Sequence, residues 1–444
     1  MDFATAQRIL TTAQNESLSR RHPGRLDRMR GLLDALGNPE RAFASVHVGG
    51  TAGKGSTASM IASVLTAAGF KVGLHTKPHL RSVTERARID NRPIDETRFA
   101  DVMEGMLPAF DEMERGPWGA PSYFEILVAL AFRYFAQEHV DIAVVEVGIG
   151  GTLDGTNVLS PLVSVLTNVS LDHTDVLGDT VEAIARDKAG IIKASTPVIS
   201  AADHPDALRI IRDAAERMHS PLRRVQELTT IESRPSEVAY SQSFSLTTPQ
   251  RTYDLTMPLM GEFQLLNAAT AVLALEDLER RFPVTPADVA VGLADLALPG
   301  RMEFHPSRPS LLFDVAHNAE KAAALAGALR RHFPDRRFVF VVAISESKDA
   351  SAMIETWSQL PAQFIFTSFD VPHRSAASPH NLSNIAALAG ATARAVEEPV
   401  EALSVARRVA GANDLVVITG STFLVAALRD WFLEDAGAHG HARV

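Results

Sequence analysis

Cysteine is absent from the 444 residues, which removes disulfides, thiolate nucleophiles and Cys-ligated zinc together. That suits a reducing compartment without establishing one, because many secreted proteins also lack cysteine. No apolar run reaches membrane-spanning length, and no N-terminal stretch combines a charged start with an apolar core, so cytoplasmic residence is the default expectation. An excess of positive charge is missing too. The formal net charge of −10 argues against a general polyanion-binding surface, so neither nucleic acid nor membrane is expected as a partner. One basic run stands out, Arg20, Arg21, Arg25, Arg28 and Arg30. It can face an anionic substrate tail or form one solvated helix face, and charge runs on short helices favour the solvated face.

What the chain does have is two glycine-rich segments placed as a magnesium-nucleotide site requires. The first, Gly49 to Thr57 (GGTAGKGST), follows a strand-like run from Phe43 to Val48 and precedes a helix-compatible stretch from Ser56 to Ala68. Backbone N–H groups at a helix N-terminus carry partial positive charge and bind phosphate oxygens directly. Lys54 can reach terminal phosphates, and a hydroxyl of Ser56 or Thr57 can ligate magnesium. The spacing departs from the strict phosphate-loop pattern: Val48 stands where the first glycine belongs, and Gly55 separates Lys54 from Ser56. A glycine-rich turn with a solvated lysine is the alternative. In the second segment, Asp141 to Val147 reads as a buried parallel strand leading into a glycine-rich turn, with Glu146 at its carboxyl end, where such sheets place ligand residues. Glu146 can hold magnesium or merely stabilise the turn, and a neighbouring phosphate loop favours the metal.

Strands alternate with helices from Ala42 to about Ser200, including Phe70 to Thr76, Val163 to Thr167 and Pro197 to Ser200, as a parallel sheet demands. From Thr229 to Met257 polar and apolar residues alternate around a turn at Thr248, Pro249 and Gln250, which predicts antiparallel hairpins, and a helix follows from Gln264 to Arg281. Proline and glycine at Leu298, Pro299 and Gly300 mark a boundary. Beyond it Leu311 to Val315, Phe338 to Ala343, Gln363 to Ser368 and Leu415 to Thr419 read as strands of a second α/β unit. The expected fold is therefore α/β. Residues 1–297 form a P-loop parallel-sheet ATPase domain with a small antiparallel β subregion. Residues 298–434 form a Rossmann-like α/β domain, and the tail from Asp435 to Val444 has little to bury and is expected to be disordered. Two such domains predict a cleft whose chemistry depends on closure.

These residues carry a family likeness. Gly50 to Ser56 (GTAGKGS), Lys77 to Leu80 (KPHL) with Thr84 to Arg86 (TER), Ser122 to Glu125 (SYFE) and Val145 to Gly151 (VEVGIGG) with Asp154 form its first half. It continues through Thr167 to His173 (TNVSLDH), Asp187 to Ile192 (DKAGII), Gly261 to Ala268 (GEFQLLNA), Pro299 to Arg301 (PGR), Asp314 to Asn318 (DVAHN) and Thr419 to Ser421 (TGS). From about residue 25 to 430 the chain resembles the folylpolyglutamate synthases, including their bifunctional dihydrofolate synthase form. These lie within the ATP-dependent ligases that include the Mur peptidoglycan enzymes.

The resemblance implies ATP-driven addition of L-glutamate to folate, and in the bifunctional form to dihydropteroate. A substrate carboxylate becomes an acyl phosphate, which an amine then attacks. It implies nucleotide contacts from Thr51, Gly53, Lys54, Gly55, Ser56, Thr57, Gln264, Asn267, Arg301 and Asp314. It implies two magnesium ions held with Ser56, Glu146, His173 and a Lys188 carbamylated by carbon dioxide. That modification needs a neutral amine and hence a depressed lysine pKa. Lys54, Lys188, His317 and Asp314 become the catalytic candidates, and Lys77, His79, Ser122, Phe124 and Asp154 the substrate candidates. Phe124 can equally be core, and Asp314 a strand-end turn residue. Ala52 replaces the usual asparagine, Lys77 a common serine and Phe263 a histidine, which bears on the substrate more than on the nucleotide chemistry. A monomer is expected. The rivals are a Mur-type ligase with a non-folate acceptor, a phosphate-loop kinase, and a non-catalytic nucleotide-binding module.

Overall fold

The computed structural model describes residues 1–13, 24–371 and 374–438, the last four of them by backbone alone. It divides into two units. One comprises Met1–Glu237, Gln242–Pro258 and Gln264–Leu296; the other comprises Val238–Ser241, Leu259–Phe263 and the chain from Ala297 onward.

In the first unit, runs of β-branched and apolar residues form β1 (Ala44–Gly49), β2 (Val72–His75), β5 (Ile142–Glu146), β6 (Val163–Leu166), β7 (Val198–Ser200) and β8 (Leu222–Arg224), joined by the short β3 (Arg88–Ile89) and β4 (Arg92–Pro93). The sheet order is β4-β3-β2-β5-β1-β6-β7-β8. Pairing is parallel from β2 to β8, and β3 and β4 are antiparallel at one edge. The central strands are buried along nearly their whole length, which explains why they read as continuous apolar runs rather than alternation.

The helix Lys54–Ala67 is rich in alanine and serine, and ten consecutive residues of it, Ser56 to Leu65, are buried. Small residues let a second helix, Pro286–Ala294, approach: a Cβ on Gly292 would lie 2.5 Å from the Val64 Cα, and Ser63 Oγ donates to the Gly292 carbonyl. The helix Tyr123–Gln137 packs with Ala143 and Val145 in the main core, where Phe132 and Phe135 are fully buried. The predicted hairpins appear as β9 (Thr230–Arg234), β10 (Gln242–Thr247) and β11 (Thr252–Met257), all antiparallel.

The second unit is built on β12 (Glu303–His305), β13 (Ser310–Phe313), β14 (Phe338–Val342), β15 (Ala362–Phe366), β16 (Thr392–Ala395) and β17 (Leu415–Thr419), in the order β12-β13-β17-β14-β15-β16. All pairs are parallel except β12 with β13. Trp357, Phe340, Phe364 and Phe366 stack in its core. The α/β class with a parallel sheet, an antiparallel subregion and a second α/β sheet is as expected from sequence.

Two expectations need correcting. The final helix runs from Thr422 to Ala438, so Asp435 to Ala438 are helical rather than disordered; Phe432, packed on Phe313 and His305, carries the helix past Arg429, and continuing it needs no further nucleus. Residues 439–444 lie outside the described residues. Arg25 and Arg28, read as part of a solvated face, are buried at 6% and 8% exposure. For Arg28 the reason is Glu125, which accepts three hydrogen bonds of 2.9–3.1 Å from its guanidinium. Arg30 does lie on the surface beside Asp27, and Arg20 and Arg21 fall outside the described residues.

Candidate functional site

The phosphate loop leaves the carboxyl end of β1, next to β5 and β6, and enters the helix at Lys54. Gly53, at φ +80°, caps that helix without a side chain; a Cβ there would lie 2.3 Å from Asn267 Oδ1. Gly50 sits at φ +134°, where a Cβ would meet Thr167 Oγ1 at 2.1 Å. The loop is stitched to the segment after β6: Thr51 N donates to the Asn168 carbonyl, Ala52 N donates to Asn168 Oδ1 at 2.6 Å, and Ser170 N donates to Thr51 Oγ1. Asn168 thus grips the backbone at the position where alanine replaces the family asparagine.

Three lysines from separate parts of the chain converge here. Lys54 Nζ donates to the Gly50 and Thr51 carbonyls at 3.1 and 3.0 Å, and Lys188 Nζ donates to the same Gly50 carbonyl at 2.8 Å. Burial, then the charges of Lys54 and Lys77, push the Lys188 ammonium down to about 7. Burial and Lys54 push Lys77 down to about 8. Opposing them, Glu146 is 3% exposed, accepts the Lys77 N–H at 2.9 Å, and has Oε2 3.2 Å from where a Gly55 Cβ would stand. Ser56 and Thr57 are buried beside it in the first helical turn, and Thr57 Oγ1 has no hydrogen-bond partner among the described residues.

His173 lies farther along the same segment, at φ +52°, with its ring 4.0 Å from the Asp172 carboxylate. Asp172, nearly buried and felt by Lys188, was not picked out from sequence, although it stands in the quoted TNVSLDH run. Among the described residues no group of three or more His, Asp or Glu side chains forms a metal cage. Magnesium bound to nucleotide needs only one or two protein oxygens besides phosphates and waters, and Glu146 with Ser56 fits that demand.

Gln264 and Asn267 do share one side of their helix: Asn267 Nδ2 donates to Gln264 Oε1 at 2.9 Å, and the wholly buried Gln264 Nε2 has no partner among the described residues.

The substrate candidates lie past the same carboxyl end of β5, at the glycine turn after Glu146 and in the elements packed on it. Ser122 is fully buried and caps the Tyr123–Gln137 helix, its Oγ accepting Glu125 N while Ser122 N donates to Glu125 Oε2. Phe124 is 5% exposed within the core, its edge against His75. Gly148 leaves the room both neighbours use: a Cβ there would sit 2.5 Å from Phe124 Cζ and 2.8 Å from Asp154 Oδ2. Asp154 accepts from Thr156 N, Thr156 Oγ1 and Ile149 N. His79 is tied to Arg86, whose Nε donates to its Nδ1 at 3.1 Å, and burial followed by the Arg86 charge lowers its pKa to about 4.

In the second unit the turns after β13 and β17 and the Pro299–Arg301 turn close on one another. Asp314 accepts Met302 N and Ala316 N at 3.0 and 2.9 Å, and Gly420 N donates to the Ala316 carbonyl. Burial pushes Asp314 up against the opposing pull of Arg301. His317 Nδ1 donates to the Val315 carbonyl at 2.7 Å, leaving Nε2 to accept from Lys321 Nζ at 3.1 Å. Lys321, one helical turn beyond His317, escaped sequence reading because a lysine in a first turn carries no motif.

Residues 121–275 match the Mur ligase middle domain, and residues 300–422 match the Mur ligase glutamate ligase domain. The chain is 35% identical over 412 residues to the dihydrofolate synthase/folylpolyglutamate synthase of Bacillus subtilis, covering 92% of this chain and 94% of that one. It belongs to the folylpolyglutamate synthase and dihydrofolate synthase family. Membership makes it a ligase. Among solved structures, Mycobacterium tuberculosis folylpolyglutamate synthase complexed with ADP superposes with a TM-score of 0.89 at 29% identity, over 97% of this chain and 98% of that one. Escherichia coli FolC in complex with DHPP and ADP superposes at 0.85 and 27% identity over 98% of each. Among the described residues no helix is long and apolar enough to cross a membrane.

Proposed function

We propose that this chain joins L-glutamate to a folate with ATP, through an acyl phosphate. The observation that carries the reading is the convergence of Lys54, Lys77 and Lys188 on a glycine loop that faces Glu146. A triphosphate and a carboxylate repel each other as they approach, and fixed cations relieve that repulsion most as charge develops in transfer. In this reading the loop N–H groups from Gly53 to Ser56, which neither Asn168 nor the helix takes up, cradle the phosphates, and Lys54 turns from its own carbonyls to the terminal phosphate. Gln264 Nε2 and Asn267 meet the base, and in the second unit Arg301, Asp314 and His317 serve the nucleotide and the acyl phosphate. Bound magnesium would supply charge neutralisation between phosphates; Ser56, Glu146 and His173 would hold it, together with Lys188 as its carbamate. The lowered Lys188 pKa supports the carbamate, because the neutral amine is the form that takes up carbon dioxide. Intact mass of the active enzyme prepared with bicarbonate, showing plain lysine at position 188, would remove that part.

For the acceptor, Phe124 supplies an aromatic edge and Asp154 an acceptor for ring amino protons beside Gly148, with Lys77, His79 and Ser122 around the same strand ends. The family holds enzymes named for both activities, so dihydropteroate is the second acceptor to try. The deciding assay is ATP- and magnesium-dependent phosphate release with L-glutamate and, in turn, dihydropteroate, a reduced folate monoglutamate and no acceptor, with products read by mass. Glutamate addition to the folate is the expected result. Silence with every acceptor despite ATP binding would move the substrate to another Mur-type acceptor, and phosphate on a stable hydroxyl product would make the protein a kinase. We read the protein as a monomer, which light scattering on a sizing column checks.

A further inference from the structure

His47 has no part in the chemistry above, yet it lies wholly buried in the middle of β1, two residues before the phosphate loop begins at Gly49. A polar ring there demands a reason. In register it faces the same side of the sheet as Val145 and His75, toward the Phe124 core. Its Nε2 lies 2.8 Å from Thr156 Oγ1, and Thr156 Oγ1 lies 2.5 Å from Asp154 Oδ1, a separation typical of a hydroxyl on a carboxylate.

The direction of this chain of bonds follows from proton counting. Thr156 has one hydroxyl proton. If it were given to His47, two oxygens with only lone pairs would face each other at 2.5 Å, so the proton belongs on the Asp154 side and His47 must be the donor, Nε2–H to Thr156. His47 Nδ1 is then an unprotonated acceptor. It has no partner among the described residues, which is tolerable for a lone pair and costly for an N–H. Neutrality agrees: burial holds the His47 pKa down at about 3.

We infer that His47 is a positioning residue for the acceptor substrate, acting through Thr156 to orient the Asp154 carboxylate. The relay fixes Oδ1 from below, leaving Oδ2, held among the described residues by Ile149 N alone, as the atom that turns toward the space beside Gly148. Because β1 carries both His47 and the phosphate loop, one strand sets the position of the acceptor carboxylate and of the phosphate-binding backbone. The inference rests on the reading of Asp154 as an acceptor contact, and its test separates the two.

KM values for a reduced folate monoglutamate and for ATP, with kcat, are measured in Asp154→Asn, Thr156→Val, Thr156→Ser, His47→Met and His47→Gln. The expected result is an acceptor KM raised about tenfold in Thr156→Val and His47→Met, as for one lost hydrogen bond of about 1.4 kcal/mol, and more in Asp154→Asn. Thr156→Ser and His47→Gln, which keep the donors, restore it to within about twofold, and the ATP KM stays put. An acceptor KM raised in Asp154→Asn alone overturns the relay and keeps the acceptor site. No change even in Asp154→Asn overturns both. Acceptor and ATP KM rising together shows general damage to the strand and also overturns it. Should His47→Met fail to fold, the Thr156 pair carries the kinetics. Nitrogen NMR of the wild-type His47 ring then decides independently: a proton on Nε2 is expected, and one on Nδ1 sinks the relay.

Discussion

Around the phosphate loop Lys54 and Lys188 spend their ammonium groups on backbone carbonyls beside Lys77, with Glu146, Asp172 and Asp187 as counter-charges, whereas at the proposed acceptor site Ser122, Glu125 and Asp154 have their hydrogen bonds answered by the fold itself. Both regions grow from the same sheet, and both are largely buried. The difference lies in who completes them. Like-charged lysines held close together are a destabilising arrangement that persists where a ligand or a modification supplies further negative charge. A satisfied carboxylate network instead fixes shape before any ligand arrives.

The contrast is broken most severely from the satisfied side. Arg28→Met leaves Glu125 buried with no cationic partner, and the expected loss is about 3–5 kcal/mol in urea unfolding, because the pair is bidentate and out of water. A loss below about 1 kcal/mol would mean the pair behaves like a surface one. On the cation side the expected outcome has the opposite sign for stability. Lys54→Met should lower kcat for phosphate release by about 10²–10³-fold. Lys188→Met should abolish activity while raising the nucleotide-free unfolding free energy by on the order of 1 kcal/mol, since a buried like-charged lysine is removed. Thermal melts without nucleotide check this, and a fall in midpoint for Lys188→Met would show that its bond to the Gly50 carbonyl outweighs the repulsion.

This division also marks what could be read from the chain. The phosphate loop, Glu146 and the parallel strands were legible because their signals are local: glycines beside one lysine, and apolar runs bounded by turns. The solvated reading of Arg28 failed because its partner is 97 residues away, and no local pattern announces a bond of that separation. His47 and Thr156, 109 apart, were hidden in the same way, as was Asn168 under Ala52. The short strands β3, β4 and β16 escaped because two to four residues are too few to carry a legible period. Ser122 shows a different limit. Its motif was visible, but a serine three residues before a glutamate is also a helix cap, and the structure shows that it serves as one.

The second unit has an intermediate case in Glu303, where a satisfied ion pair supports the turn that presents Arg301. Burial pushes its carboxyl up, but hydrogen bonds from His305, Arg429 and Gly300 N and the Arg429 charge bring it down to about 2 from the ordinary 4.5. A folded-state pKa below the unfolded one means stabilisation that is complete above about pH 4.5 and lost as the pH falls toward 2. Arg429→Met is therefore expected to lose on the order of 2 kcal/mol at pH 7, with the gap to wild type closing between pH 4.5 and 2. A gap that stays constant down to pH 2 would assign the loss to the packing of the Arg429 stem instead.

The smallest effect expected is also the one that separates the two meanings of Ser122. As a helix cap, its Oγ satisfies Glu125 N at the start of Tyr123–Gln137, so Ser122→Ala should cost about 1 kcal/mol of stability. Glu125 still reaches back to the backbone N–H of residue 122 and still holds Arg28, so half of the capping box survives. If capping is all that Ser122 does, the folate KM stays within about twofold of wild type and Ser122→Thr or Ser122→Asp restores the melting midpoint. If Ser122 also meets the substrate, the folate KM rises in Ser122→Ala, and the bulkier Ser122→Asp restores stability without restoring KM. Zero exposure of the serine side chain argues for the first outcome, since a group sealed by its own helix has no surface to offer a ligand.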